Sequence, residues 1–237
     1  MPKLIDCIDA VCFDLDGTLV DTAPDLTSAA NMMLLILGGR PLPEERVAAF
    51  IGGGIDEFVA KVVEASHVKS DPAQHAAANA LFRNLYGQRV FQHSRVYAGV
   101  EQTLRALHGL GRKLFCVTNK ESRFTLPLLR SAGLSGFFAS VLCADRLEDR
   151  KPSPNMLLAA CNDAGVSPSR TLLVGDSGAD VGAAQAAGCR VVAVDYGYHG
   201  GVPLAQLQPD GVVSRFQDIL ELSVGAQQGC HALRAIA

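Results

Sequence analysis

Five short apolar runs stand out along the chain, and each is continuous rather than alternating with polar residues. Continuous runs of this length are typical of strands that are covered on both faces of a sheet. The segments that alternate with the last four runs have apolar residues at helical spacing. Strands that alternate with helices predict a parallel sheet with right-handed crossovers. The runs are Ala10–Phe13, Lys113–Val117, Ala139–Cys143, Thr171–Val174 and Arg190–Val194.

A long helical stretch separates the first run from the second and contains no convincing strand. We therefore predict an α/β fold in which an all-helical cap at 20–92 is inserted into a doubly wound, Rossmann-like core at 1–19 and 93–224. Residues 225–237 are rich in Gln, Gly and Ala and are predicted to be a flexible tail. The helical patterns of the cap cover Asp25–Leu37, Glu44–Phe50, Asp56–Ser66 and Asp71–Tyr86.

Composition narrows the classes of function. The chain has 237 residues, of which 49% are hydrophobic and 19% charged, so a largely disordered chain is excluded. A net charge of -3 argues against a strongly basic nucleic-acid binder. No uncharged apolar run approaches the ~20 residues that a membrane span needs, and the N-terminus lacks the pattern of a signal peptide. We expect no nucleic-acid partner and no membrane contact.

The seven cysteines are scattered, and none belongs to a C-x-x-C pair. This pattern indicates small buried residues in a reducing compartment, and hence a cytoplasmic protein. The sequence does not fix the oligomeric state, and we expect a monomer or a homodimer.

Charged and hydroxyl residues follow the apolar runs at the points where the predicted strands stop. In open α/β sheets, ligands bind beyond the carboxyl ends of the strands, so we expect these side chains to meet at one rim. They are Asp14, Asp16, Thr118, Asn119, Lys120, Lys151, Asp176 and Asp180.

The four carboxylates of this group repel one another in a shared pocket and need a cation. Hard oxygen ligands without His or Cys favour Mg²⁺. Lys151 adds one positive charge, and the metal ion and the ammonium together suit a phosphate dianion. One carboxylate can attack phosphorus, and a second can protonate the leaving oxygen and later deprotonate water.

Four motifs resemble those of the haloacid dehalogenase superfamily of phosphohydrolases. Asp14–Asp21 is similar to the first motif and Thr118–Asn119 to the second. Lys151–Pro152 is similar to the third, and Gly175–Ser177 with Asp180 to the fourth. The motifs occur in the order of the family, each at a predicted strand end or helix start. The position of the helical insert also resembles the subclass of this family that carries a helical cap.

The resemblance implies a role for each motif residue. Asp14 is the nucleophile and a Mg²⁺ ligand, and Asp16 is the general acid/base, with its backbone carbonyl on the metal. Asp176 completes the protein's metal ligands, and Asp180 ligates through water or orients its neighbours. Taken alone, Asp180 is also a candidate helix cap. Asp21 more often belongs to a helix start, here at the hinge.

The remaining motif residues are implied to act on the phosphate. Thr118 and the backbone of Asn119 hold phosphate oxygens, and Lys151 neutralises charge on the transferring group. Thr118 and Lys151 are therefore also counted as catalytic.

Further segments resemble the bacterial phosphoglycolate phosphatases within this superfamily, and the likeness reaches to about Leu222. It implies that a small phosphorylated metabolite, 2-phosphoglycolate, is hydrolysed to glycolate and phosphate. Two small departures are Ala98, where Pro is more usual, and Gly178, where a polar residue is more usual. The segments are Thr22–Leu26, Ile51–Gly54, Tyr97–Val100, Thr118–Lys120, Gly175–Ser177 and Tyr196–Tyr198.

The glycine run Gly52, Gly53 and Gly54 has two interpretations. It is a flexible turn that opens the next helix, or it exposes backbone N–H groups that bind the carboxylate of the substrate.

Three other functions stay open. A phosphatase for another small phosphate, such as a sugar phosphate, and a phosphosugar mutase share every core residue named above. A non-catalytic binding protein on the same scaffold is a weaker alternative, because Asp14 and Asp16 are both present.

Overall fold

The computed structural model describes residues 3–66, 68 and 71–223. Its main sheet has six parallel strands in the order β5-β4-β1-β6-β7-β8, and a separate antiparallel ribbon joins β2 to β3. The predicted doubly wound α/β fold is thus confirmed. The strands are β1 (Ala10–Phe13), β2 (Val20–Asp21), β3 (Arg95–Val96), β4 (Lys113–Thr118), β5 (Ser140–Cys143), β6 (Thr171–Gly175), β7 (Arg190–Val194) and β8 (Gly211–Val213).

Eight α-helices lie among the described residues, and the four of the insert match the helical patterns given above to within two residues at either end. Four lie between β2 and β3, and four accompany the strands of the main sheet. They are α1 (Ala23–Ile36), α2 (Glu44–Ala48), α3 (Ile55–Ala65), α4 (Pro72–Gly87), α5 (Val100–Gly109), α6 (Ser122–Ser131), α7 (Asn155–Ala164) and α8 (Gly178–Ala187).

The sequence did not predict three of the strands. β8 has three residues at the edge of the main sheet, and β2 and β3 have two residues each. Segments this short carry no readable apolar period, since they are defined by their partners across the sheet. The expectation that 20–92 contains no strand is wrong at Val20–Asp21, which pairs with Arg95–Val96.

Apolar layers cover both faces of the main sheet. Alternate β1 residues enter different layers: Val11 and Phe13 pack with α5 and α6, whereas Ala10 and Cys12 pack with α7 and α8. All four side chains are fully buried, which explains why the strands read as continuous apolar runs.

The four helices between β2 and β3 have an apolar cluster of their own. Phe58, Phe82 and Tyr86 are buried at its centre, with ring centroids 5.1 and 5.8 Å apart along the series. Phe124 from α6 joins this cluster and tilts against Tyr86 at 5.2 Å. The helical insert therefore packs onto the α/β core as well as within itself. The boundaries of the cap, at 20 and 92, stay a prediction, and the predicted tail at 225–237 lies outside the described residues.

A buried carboxylate fixes the point where the chain returns from the helices. Asp25, in the first turn of α1, is completely buried. It accepts hydrogen bonds from the backbone N–H groups of His93 and Ser94, at 2.8 and 3.0 Å, and from the Ser94 hydroxyl at 2.6 Å. These bonds tie the entry of the helical segment to its exit.

Among the described residues, five cysteines are free thiols: Cys12, Cys116, Cys143, Cys161 and Cys189. Cys7 is buried, as predicted, but it is disulfide-bonded, so it is not the free thiol that a reducing compartment would leave. Within 3–66, 68 and 71–223, no helix has both the length and the hydropathy that a membrane span needs.

We predict that Asp25→Ala lowers the free energy of unfolding by about 2–4 kcal/mol, because three donors lose their acceptor inside the protein. Urea or thermal unfolding measures this loss. Asp71→Ala is the matched control, since Asp71 caps α4 at the surface and its loss costs ~1 kcal/mol. Equal losses for the two variants contradict the assigned role of Asp25.

Candidate active site

The predicted site residues meet at the carboxyl ends of β1, β4 and β6. The strand order reverses at β1, because β4 lies on one side of it and β6 on the other. A crevice opens where two neighbouring parallel strands send their chains to opposite sides. One pocket at this crevice is lined by Asp14, Asp16, Thr118, Asn119, Lys151 and Ser177 from the α/β core.

Lys151 is the centre of charge balance in the site. Its ammonium is buried and donates to Asp14 Oδ1 at 2.6 Å, to Asp180 Oδ1 at 2.7 Å and to the Val117 carbonyl at 2.8 Å. All three ammonium protons thus have acceptors on three different segments of the chain. Lys151 is therefore a buried residue of the site and not a solvated surface lysine.

Asp14, Asp176 and Asp180 form a carboxylate triad beside Lys151. Each offers one oxygen, and these oxygens lie within 4.8 Å of one another. The residues are buried, and oxygen-only donors at this spacing fit a hard divalent cation such as Mg²⁺. The Asp16 side chain is not part of this triad, and the metal role of its backbone carbonyl stays a prediction.

Asp180 both caps a helix and contacts the site. Its Oδ2 accepts from the backbone N–H and the hydroxyl of Ser177, at 3.1 and 2.6 Å, and the two residues form a capping box at the start of α8. Its Oδ1 faces Lys151. The two interpretations of this residue are therefore compatible, because the cap holds the carboxylate in place.

Gly17 allows the first motif to turn against Asp176. Its φ is +87°, and a Cβ built there meets Asp176 Oδ2 at 2.2 Å. Any other residue is strained in φ and displaces a carboxylate of the triad. On the other side, Asp176 accepts hydrogen bonds from the Thr18 hydroxyl, at 3.3 Å, and from the Tyr198 backbone N–H.

Burial and mutual repulsion disfavour charge on two of the carboxylates. Burial raises the pKa of Asp14 to about 7, since it outweighs the opposing effect of Lys151. Burial, together with Asp14 and Asp180, raises the pKa of Asp176 well above its ordinary value. Burial alone lowers the pKa of Lys151, but the Asp14 and Asp180 carboxylates outweigh it and raise that pKa. The protein alone thus carries an excess of negative charge that a metal ion relieves.

Asp16 is held by a second buried lysine. Lys120 Nζ lies 2.9 and 3.1 Å from the two Asp16 oxygens, and Thr22 Oγ1 donates to Oδ1 at 2.6 Å. The same ammonium lies 4.7 Å from the centre of the Tyr86 ring on α4. Burial alone lowers the pKa of Lys120, whereas Asp16 and Tyr86 together raise it above its ordinary value.

Asn119 connects three segments through its side chain. Its Oδ1 accepts from the Lys151 backbone N–H at 2.8 Å, and its Nδ2 donates to the carbonyls of Lys151, at 3.1 Å, and of Gly52, at 2.8 Å. The sequence assigned only the backbone of Asn119 to phosphate. The side chain holds the third motif, and a turn of the helical insert, against the second motif.

The helical insert forms an apolar wall opposite the carboxylates. Leu26 of α1 and Ile51, Ile55 and Phe58 around the start of α3 line the same pocket, together with Gly52 and Gly54. Gly53 does not line this pocket among the described residues and faces a neighbouring depression. Gly54 precedes α3 with a φ of +85°, so it also serves the turn that the sequence suggested.

Asp21 lies at the start of the helical insert, as its hinge interpretation expects. It pairs with the Tyr198 hydroxyl and accepts from the Ala23 backbone N–H at 3.3 Å. The Tyr198 hydroxyl also accepts from the backbone N–H groups of Thr22 and Ala23, at 2.8 and 2.9 Å. Tyr198 therefore supports α1 from the loop after β7.

Sequence reasoning gave no role to three residues of the site. Lys120 and Thr22 hold Asp16, and Tyr198 holds both Asp176 and the start of α1. The signal for Lys120 was its position directly after the second motif. Tyr198 stood in a segment that resembles the phosphoglycolate phosphatases, but its contacts were not readable because its partners lie 22 and more residues away.

Comparisons with known proteins agree with this geometry. Residues 8–188 match the family model of the haloacid dehalogenase-like hydrolases. A phosphoglycolate phosphatase of Thiobacillus denitrificans is 45% identical over 87% of this chain and 91% of its own length. One of Nitrosospira multiformis is 42% identical over 91% and 95% of the two chains. A crystal structure of a predicted phosphoglycolate phosphatase from Haemophilus somnus superposes with a TM-score of 0.87 at 34% identity and covers 91% and 97% of the two chains.

The raised pKa of Asp14 predicts a pH-dependent stability of the metal-free protein. Between the ordinary aspartate pKa of 3.8 and about 7, the folded state holds a proton that the unfolded chain releases, so stability falls as pH rises through this window. Asn cannot ionise. In EDTA, the free energy of unfolding of Asp14→Asn is therefore expected to exceed that of the wild type by ~1–3 kcal/mol at pH 8 and by less at pH 5.

Thermal unfolding across pH 5–8 measures this difference. Each kcal/mol corresponds to about 2–4 °C in Tm for a chain of this size. Asp163→Asn, on an exposed position of α7, is the matched control and should show no such trend. An Asp14→Asn protein that is less stable than the wild type at every pH contradicts the prediction.

Proposed function

Because this chain belongs to the haloacid dehalogenase-like hydrolase family, we propose that it is a Mg²⁺-dependent phosphomonoesterase that hydrolyses 2-phosphoglycolate. The buried carboxylate of Asp14 beside Lys151 and two further carboxylates is the observation that carries the phosphatase activity. The names of relatives that share 45% and 42% of their residues support the choice of substrate.

In the proposed reaction, a carboxylate oxygen of Asp14 bonds to phosphorus as the bond between phosphorus and the ester oxygen breaks. Asp16 gives its proton to the departing glycolate oxygen. It then takes a proton from a water molecule that attacks the aspartyl-phosphate, so that phosphate leaves and Asp14 is restored. Lys120 and Thr22 hold Asp16 beside this reaction path.

Asp14, Asp176 and the backbone carbonyl of Asp16 would hold Mg²⁺, with Asp180 as a direct or water-mediated partner. The bound ion supplies positive charge against the phosphate oxygens and the carboxylates. Lys151 supplies the second positive charge, and Thr118 and the Asn119 backbone hold phosphate oxygens from the end of β4.

We further propose that α1–α4 act as a lid over the crevice. Their apolar side chains face the carboxylates across the pocket, and such a wall excludes bulk water while the phosphate is transferred. The predicted cap at 20–92 contains all four helices.

The apolar wall also favours a short substrate over a sugar phosphate. Leu26, Ile55 and Phe58 offer no hydrogen bonds to the hydroxyl groups of a sugar, and a buried hydroxyl without a partner costs binding energy. A phosphatase for another small phosphate, or a phosphosugar mutase, uses the same core residues and is the alternative outcome of the substrate test below. We place the protein in the cytoplasm because five of its described cysteines are free thiols, although Cys7 is disulfide-bonded. A monomer or homodimer stays a prediction.

Phosphate release from a panel of small esters tests the substrate. We expect 2-phosphoglycolate to exceed sugar phosphates in kcat/KM by at least ~10-fold, about 1.4 kcal/mol of transition-state binding. EDTA and Asp14→Asn should each abolish release, and Asp163→Asn is the matched control. A different preferred ester contradicts the substrate, and release by Asp14→Asn at the wild-type rate contradicts the nucleophile.

Asp16→Asn should separate the two chemical steps. With p-nitrophenyl phosphate, whose leaving group needs no proton, we expect one rapid equivalent of p-nitrophenolate and then a stall, because no base activates water. With 2-phosphoglycolate, glycolate release should fall by ~10²–10⁴-fold. Stopped-flow absorbance measures the first ester and single-turnover product analysis the second. A steady p-nitrophenolate rate without a burst would show that Asp16 does not act in both steps.

A further inference from the structure

The site contains one cation that the proposed reaction leaves without a direct role. Of the described residues that line the pocket, two are cationic, Lys151 and Lys120. Lys151 donates all three of its protons to protein acceptors. The hydrogen bonds of the Lys120 ammonium go to the two oxygens of one carboxylate, and its side chain is 4% exposed.

Lys120 lies directly beside Asp16, the proposed general acid/base. In the proposed reaction, Asp16 faces the ester oxygen of the substrate. The carboxylate of 2-phosphoglycolate is two covalent bonds beyond that oxygen. Since Lys120 Nζ is 2.9 and 3.1 Å from the Asp16 oxygens, a carboxylate attached so close to the ester oxygen comes within reach of the same ammonium.

We propose that Lys120 recognises the carboxylate of the substrate and so determines specificity for a phosphate ester with an acid group on the neighbouring carbon. This inference rests on the proposed function and deepens it. The apolar wall of Leu26, Ile55 and Phe58 leaves a second anion without a cationic partner on the opposite side of the pocket. A charge-assisted hydrogen bond from the buried Lys120 ammonium gives the substrate carboxylate a cationic partner.

The glycine turn is the other candidate for the carboxylate, and its surroundings are less favourable. A Cβ built on Gly53 meets Glu57 Oε2 at 2.2 Å, so an acidic side chain already lies against this turn. The Gly52 carbonyl is turned to Asn119, at 2.8 Å. The Arg150 guanidinium also lies at this turn, where it donates to the Gly53 carbonyl and pairs with Asp56. Neither Arg150 nor Glu57 is among the described residues that line the pocket, whereas Lys120 is.

Two pairs of compounds that differ in the carboxylate test the proposal. Turnover is compared for 2-phosphoglycolate and ethyl phosphate. Inhibition is compared for 3-phosphonopropionate and propylphosphonate, which report binding without chemistry. In Lys120→Met, kcat/KM for 2-phosphoglycolate should fall by roughly 10- to 100-fold more than for ethyl phosphate, chiefly through KM. In the same variant, the inhibition constant of 3-phosphonopropionate should rise. That of propylphosphonate should stay within ~2-fold of the wild-type value, because propylphosphonate has no carboxylate.

Controls separate this role from others. Lys113→Met, at the opposite end of β4, should change none of the four values. Lys120→Arg should retain part of the preference because it keeps the charge. If Lys120→Met does not fold by its melting curve, Lys120→Gln carries the same test, since it keeps a hydrogen bond to Asp16 and removes the charge.

The outcomes distinguish the two proposals. Equal losses for both esters, with unchanged inhibition by 3-phosphonopropionate, overturn the carboxylate role and show that Lys120 acts through Asp16. A wild type that does not prefer 2-phosphoglycolate over ethyl phosphate overturns the proposed substrate, and the carboxylate role with it. A wild-type preference that persists in Lys120→Met overturns the carboxylate role alone.

Discussion

The contact of the Lys151 ammonium with Asp14 and Asp180 is the interaction on which the site depends. It brings the loop before α7, the end of β1 and the first turn of α8 to one point. Removing the ammonium from such a buried network leaves its carboxylates without compensation, which typically costs several kcal/mol. The same charges that make the arrangement costly give it its chemistry, because carboxylates with few neutralising partners attract a divalent cation and a phosphate ester together.

Around this centre, short backbone segments are held in place by side chains from elsewhere in the chain. Asn119 fixes the third motif through both of its amide atoms, and Gly17 lets the first motif approach Asp176. Tyr198 supports both Asp176 and the start of α1. A site built from loop residues thus gains the rigidity of the sheet, because each loop is bound to another loop as well as to its own strand.

The sequence was sufficient for the parts of the molecule that leave a periodic or local signal. Buried strands such as Ala10–Phe13 read as apolar runs, and the motif residues follow them directly. β8 and the β2–β3 ribbon were missed because two or three residues show no period. The roles of Lys120 and Tyr198 were missed for a different reason. Lys120 holds Asp16 across 104 positions, and Tyr198 holds Asp176 across 22, so neither contact is local in sequence.

The antiparallel pairing of Val20–Asp21 with Arg95–Val96 has a consequence for how such proteins diversify. The chain leaves the sheet region and returns to it at adjacent points, so the length of the excursion has little effect on the geometry of the strands. The entropy of closing such an excursion grows only slowly with its length. Evolution can therefore exchange, enlarge or shorten the segment between the two ribbon strands while the hydrolytic residues stay in place. The ribbon is a natural junction for chimeras that graft the lid of one relative onto the sheet of another.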